Sequence, residues 1–255
     1  MKGLFQIFEE QNELDFFKNL RMTKETFQYI KEKVDIYYKE STKSRHNSLS
    51  CSEVLVLTIS YLANQSSYRE LANSFGLSKG FVHTTVTKIL DILNILAPEF
   101  IKWPTKEEAI VDEKEFKKYA NFPGVIGAID GCHIKIKAPS ETQMDYLDRT
   151  LNHSINLLAV CDSNKKFTFV YAGFPGSAHD NRVYANSGLP EKFTTRKEDF
   201  FPPGNYHIIG DSAFAVSPYL LVPFKDYGNL QPKEKKYNQK LSKTRVVIEN
   251  AFGLL

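Results

Sequence analysis

The feature that most limits the fold is a change of hydrophobic period part-way along the chain. Up to Trp103-Pro104 apolar residues recur at helical spacing; after Phe122-Pro123-Gly124 they run or alternate as strands do. In the first part, "LSCSEVLVLTISYLANQ" places Leu55, Ile59 and Leu62 behind a capping box of Ser50 and Glu53. Ser67 and Glu70 repeat that signal before "YRELANSFG". Gly76 stops the helix, and Ser78 caps the next, "KGFVHTTVTKILDILNILA". A short helix, a glycine-containing turn and a longer helix with an exposed start form a helix-turn-helix candidate. Its Ser78, Lys79, His83, Thr84, Thr87 and Lys88 offer polar groups to DNA phosphates or base edges, unless the pair is an ordinary hairpin packing a core.

The second part predicts a strand over Val125–Ile129, with Gly131 turning the chain away, and a second arm in "HIKIK". "SINLLAVCD" and "KFTFVYAGF" form a hairpin turning at Ser163-Asn164-Lys165. A short helix in "HDNRVYANSGL" and a strand in "YHIIGDSAF" follow. Next comes a polar, lysine-rich loop from Pro223 to Lys240, then a last helix in "SKTRVVIENAFGLL". At about a dozen residues such a helix is marginal without packing. This order predicts an α/β fold, a mixed sheet with helices. The expected organisation is a helical region over residues 1–105, with the helix-turn-helix at about 50–97. A charged connector over 106–120 and a sheet domain over 121–255 complete it.

Composition narrows the partners little. The net charge of +3 comes from 33 basic and 30 acidic residues, so any nucleic-acid surface must be a local patch. Three dispersed cysteines, with no CxxC pair, point to neither a zinc site nor a disulfide framework, and a reducing compartment is expected. The N-terminus "MKGLFQIFEEQNELDFF" lacks signal-peptide features, and no apolar run is long enough to span a membrane. An intracellular protein is the expectation. The loose basic stretch from Lys39 to Arg45 is too sparse to specify a compartment. No Walker or dinucleotide glycine motif is present.

Acidic residues stand where open sheets place their sites: Asp130 after the first strand, Asp180 opening the short helix and Asp211 after the fourth strand. Glu249 can face them from the last helix. Each alone has an ordinary explanation. Asp130-Gly131 is a favoured turn pair, Asp180 suits a helix N-terminus, and Asp211 precedes Ser212 in a plausible cap. Glu249 lies four residues after Arg245, a spacing that usually gives a solvated surface pair. Together they would repel one another in low dielectric unless a cation neutralised them. Hard oxygen donors suit Mg²⁺ or Mn²⁺. Two such ions, roughly 4 Å apart, activate water or a 3′-hydroxyl at a phosphodiester.

The blocks "GVIGAIDGCHIKIKAP", "AGFPGSAHDNRVYANS", "GDSAF" and "TRVVIENAFG" resemble, in order, those of the PIF/Harbinger transposase superfamily, which includes Harbinger transposase-derived nucleases. "IKWPTKEE", "YANFPGVIG" and "SYRELANSFGLSKGFVHTTVTKIL" extend the likeness over about residues 50–255. The resemblance implies an RNase H-like mixed-sheet catalytic domain preceded by a helical helix-turn-helix domain, with DNA as substrate and a divalent metal, Mg²⁺ or Mn²⁺, as cofactor. It implies that Asp130 is the first acid of a DDE site and Glu249 the last. Asp211 and Asp180 are both candidates for the second, with Asp211 ahead on topology. A Myb-like partner, a homo-oligomer and a nuclear location are further expectations, the cytoplasm being the other compartment left open. Relatives continue the last helix beyond Glu249, so a domain truncated at its C-terminus is expected. His133 and His179, beside expected ligands, either orient a carboxylate or are structural. Lys135 and Lys137 are either DNA contacts or a solvated face. The competing readings are a DNA-binding scaffold that no longer cuts and a carboxylate hydrolase acting on another substrate, such as a glycoside.

Overall fold

The computed structural model describes residues 10–40, 49–64 and 66–255, together with Phe5 and Phe8. Most of the N-terminal stretch and the basic residues from 41 to 45 therefore lie outside the described residues. The chain divides into two compact units, residues 1–100 and 101–255.

The first unit is helical: α1 (Glu13–Leu20), α2 (Lys24–Glu40), α3 (Cys51–Asn64), α4 (Tyr68–Phe75) and α5 (Lys79–Phe100). Helix α3 is apolar nearly all round and is buried from Val54 to Ser60, as expected of a helix at the centre of a bundle. Leu20, Val34, Leu55 and Ile89 close one core around it, and Leu57, Leu71, Val82 and Val86 close a second, smaller one with α4 and α5. The local signals act as their chemistry dictates. Ser67 and Glu70 form a capping box at the start of α4, and Gly76, at φ 67°, ends it in the left-handed region.

The second unit runs α6 (Lys106–Ala120), β1 (Val125–Lys135), β2 (Ser154–Cys161), β3 (Phe167–Pro175), α7 (Asp180–Asn186), α8 (Leu189–Thr195), α9 (Lys197–Phe200), β4 (His207–Ile209), β5 (Leu220–Leu221) and α10 (Pro232–Phe252). The sheet order is β3-β2-β1-β4-β5. β2 runs antiparallel to its neighbours β1 and β3, and β4 lies parallel to β1 and β5. One face carries α6 and α10, whose Phe116, Val247, Ile248 and Ala251 pack with Val125, Ala128, Cys161 and Ile209. The other carries Val183, Leu189, Phe193 and Phe201 against Ile126, Ile129, Leu158 and Val160. A five-stranded mixed sheet covered on both faces agrees with the RNase H-like expectation.

Two local expectations need correction. The first strand does not end at Asp130; β1 continues through Gly131 to Lys135, because β2 pairs with it at every position from Ala128 onward. Ladder hydrogen bonds here override the turn preference of Asp-Gly. The charged segment over 106–120 is the helix α6, capped by Thr105 and Glu108, and its Phe116 is fully buried in the sheet unit. The lysine-rich stretch is helical from Pro232, so the last helix has 21 residues. Glu234 Oε2 accepts the Gln231 N–H at 2.7 Å, and proline suits a first helical turn. Among the described residues, no helix is long and apolar enough to cross a membrane.

His207 opens β4 as a buried histidine whose Nε2 has no hydrogen-bond partner. Burial pushes its pKa down from 6.5 to about 4. The folded state therefore binds fewer protons than the unfolded one across that interval. The stabilisation is fully present above 6.5 and is lost as pH falls towards the folded value. We expect the denaturant midpoint to fall between about pH 7 and about pH 4.5, and His207→Phe to flatten that fall.

Candidate functional site

The site follows from a mismatch in strand length. Pairing of β4 with β1 stops at Ala128 and Ile209, whereas β1 runs on to Lys135 with β2 alone. Asp130 and Gly131 thus lie on an edge just past the carboxyl end of a parallel strand, the place where open sheets expose functional groups. Successive residues of a strand face opposite sides of the sheet. Asp130 accordingly meets α10, and Gly131 meets α7.

On the α10 side, Asp130 Oδ1 accepts the Gly131 N–H at 2.9 Å, and Oδ2 accepts from Arg245 Nη1 at 2.5 Å. Arg245 Nη2 donates to Glu249 Oε1. One guanidinium therefore bridges two of the sequence-predicted acids. On the α7 side, a Cβ on Gly131 would lie 2.3 Å from Asp180 Oδ1, so the missing side chain is what lets that carboxylate rest on the strand. Asn156 Nδ2, from β2, donates to the same Oδ1 at 2.9 Å. Asp211 stands two residues beyond β4 and caps its own turn, Oδ1 accepting the Ala213 N–H at 2.8 Å. Asn181 Oδ1 accepts the Ala215 N–H at 2.8 Å and ties that loop to α7.

The electrostatics connect these groups. Burial, foremost, pushes the Asp130 carboxyl up to about 6; Arg245 and the Gly131 N–H oppose the rise, and the Asp211 and Asp180 charges add to it. The Asp180 and Asp211 charges, from different elements, thus both bear on Asp130 at one sheet edge. Among the described residues no group of three or more His, Cys, Asp or Glu side chains is placed, as the structure stands, to hold a metal ion. The donor chemistry fits a hard divalent cation all the same. It comprises the carboxylate oxygens of Asp130, Asp180, Asp211 and Glu249.

Asp130 and Glu249 are brought together through Arg245, and Asp180 joins Asp130 across the strand backbone, with Asp211 in electrostatic reach. Arg245 and Asn156 were not singled out as site residues in the sequence. The signal for Arg245 was its spacing from Glu249, which reads as a surface pair until Asp130 is seen beneath it. The signal for Asn156 was a lone amide inside an apolar strand. His133 is a structural histidine: its Nδ1 lies 3.1 Å from Ser154 Oγ, which in turn donates to Asp148 Oδ2. His179 is exposed at the start of α7, and Lys135 and Lys137 are exposed.

Of the six expected DNA-contact residues in the first unit, Ser78, Lys79, His83, Thr84 and Thr87 are exposed and Lys88 is half-buried. Ser78 Oγ accepts the Phe81 N–H at 3.2 Å, and Thr84 donates to the Gly80 carbonyl at 2.6 Å, so both hydroxyls serve the helix itself. The Lys88 ammonium sits 5.0 Å over the Tyr38 ring.

Residues 129–255 match the family model described as DDE superfamily endonuclease. The chain is 32% identical over 212 residues to "Putative nuclease HARBI1" of Rattus norvegicus, covering 83% of this chain and 59% of that protein. Residues 129–255 thus carry a domain of the DDE superfamily endonuclease family, and the chain is similar to Harbinger-related nucleases over most of its length. "Protein ALP1-like" of Arabidopsis thaliana is 28% identical over 92% of this chain and 61% of its own length. "Probable transposase for insertion sequence element IS702" of Microchaete diplosiphon is 23% identical over 90% of this chain. The chain spans about three-fifths of the length of the first two relatives. No solved structure matches it.

Proposed function

We propose that this chain is a metal-dependent DNA endonuclease of transposase descent, hydrolysing or transferring phosphodiesters. The observation that carries the reading is the convergence of Asp130, Asp180 and Asp211 on the open edge of β1, within the domain that matches DDE endonucleases. Asp130, Asp211, Asp180 and Glu249 would hold Mg²⁺ or Mn²⁺. Bound there, such ions supply a nucleophile at neutral pH and charge stabilisation for the leaving oxygen. The chain's own part is positional. The β1–β2 ladder fixes Asp130, the buried Val247, Ile248 and Ala251 fix the helix that carries Glu249, and Asn156 orients Asp180. Lys79, His83 and Thr87, at the start of α5, are proposed to contact DNA.

The test is nicking of supercoiled plasmid by purified protein. Cutting is expected with Mg²⁺ or Mn²⁺ and not in EDTA; cutting that persists in EDTA would contradict the reading. A second reading, DNA binding without cleavage, is favoured by the Arg245 bridge, which already engages two of the four acids. It requires salt-sensitive binding with no nicking under any metal.

A further inference from the structure

We propose that Arg245 is a built-in counter-ion of the carboxylate site, one that must release Asp130 and Glu249 before a divalent cation can take them. The inference rests on the metal-site reading above and deepens it. Arg245 is bonded to both acids at once, to Asp130 at 2.5 Å and to Glu249 beside it. Its side chain is only 18% exposed, against 50% for Glu249, so the guanidinium sits sunk between its partners rather than on the surface. Among the described residues no other Lys or Arg pairs with either acid. Asp180 and Asp211 add negative charge close by. The guanidinium therefore neutralises the same surplus of charge that a metal ion would.

The geometry separates this role from ordinary helix decoration. An exposed pair four residues apart contributes a few tenths of a kcal/mol and reaches nothing else. Arg245 instead links α10 to β1, across 115 positions of sequence. The planar, multi-donor fork is what permits two carboxylates to be held together; a lysine ammonium is a compact point charge on a flexible stem. The buried Leu241, Thr244, Val247 and Ile248 anchor the helix on either side of it. Release can therefore be a rotation of one side chain, with the helix and Glu249 left in place.

Mn²⁺ titration and thermal melting of the full chain, as wild type, Arg245→Gln and Arg245→Lys, test the proposal. Arg245→Gln is expected to bind Mn²⁺ about tenfold more tightly, the equivalent of about 1.4 kcal/mol. It should also melt at a lower temperature without metal and gain more from Mn²⁺ than wild type does. Arg245→Lys, which keeps the charge but not the fork, should fall between the two and remains informative if the glutamine variant folds poorly. Equal, measurable Mn²⁺ affinity in all three overturns the counter-ion role and leaves the metal site standing. No Mn²⁺ binding in any of them overturns the metal-site reading, and the counter-ion with it.

Discussion

Asp130→Asn is expected to lower metal-dependent nicking at least about a thousandfold, roughly 4 kcal/mol of transition-state stabilisation, without unfolding the chain. Asparagine keeps the size of the side chain and an oxygen able to accept the Gly131 N–H. What it removes is the negative charge, which is the property a divalent cation requires. The fold has little use for that charge. Burial pushes the Asp130 carboxyl up to about 6, so the protein disfavours its ionised form and offsets the cost only partly through Arg245. Metal-free stability should accordingly change by no more than about 1 kcal/mol, since a neutral isostere also escapes desolvation. Parallel measurement of nicking rate and denaturant midpoint checks both halves. A large drop in the midpoint would show that Asp130 is a structural ion-pair partner first.

Gly131→Ala is the second large effect, and it acts through space rather than charge. The added methyl would lie 2.3 Å from Asp180 Oδ1 and 2.8 Å from its Cγ, far inside contact distance. Something must move, and the carboxylate at the mouth of α7 is freer than the β1–β2 ladder. Its displacement breaks the Asn156 Nδ2 bond, and the Asn156 Oδ1 already lacks a partner. Overpacking of this kind costs about 1–3 kcal/mol. If Asp180 serves the reaction, a shift of about 1 Å lowers the rate about a hundredfold. Activity that stays within twofold of wild type while stability falls would remove Asp180 from the reaction.

Gly131 also shows where sequence reading stopped. Asp-Gly after an apolar run is a local turn signal, and locally the inference was sound. Its continuation as strand depends on β2, more than twenty residues later, supplying a partner at every position. The glycine has a different purpose, a gap for Asp180, and a gap is invisible until both sides are placed. Features written into short stretches were legible: the capping box of Ser67 and Glu70, the stop at Gly76, and the β2–β3 hairpin. Asp130, Asp180 and Asp211 could be named together because the sequence reading set each at an element boundary, Asp130 wrongly, but not their faces, since one residue of register inverts them. The stretch before Leu241 was misread because its lysines mask the period. Only one face of α10 is buried, and Pro232 with Glu234 marks its start more clearly than any apolar residue does. Arg245 was visible as half of a surface pair, and its second partner came only with the fold.

The central claim is that the acids on the open edge of β1 form one cation site. Calorimetric titration of Mn²⁺ into wild type, Asp130→Asn and Asp211→Asn tests it most directly. Asp112→Asn serves as a control, because that buried carboxylate is bonded instead to Ser163 in the β2–β3 turn. Saturable binding by wild type and by the control, weakened at least about tenfold by either site substitution, is the predicted result. Binding that is indifferent to Asp130 and Asp211 would contradict it.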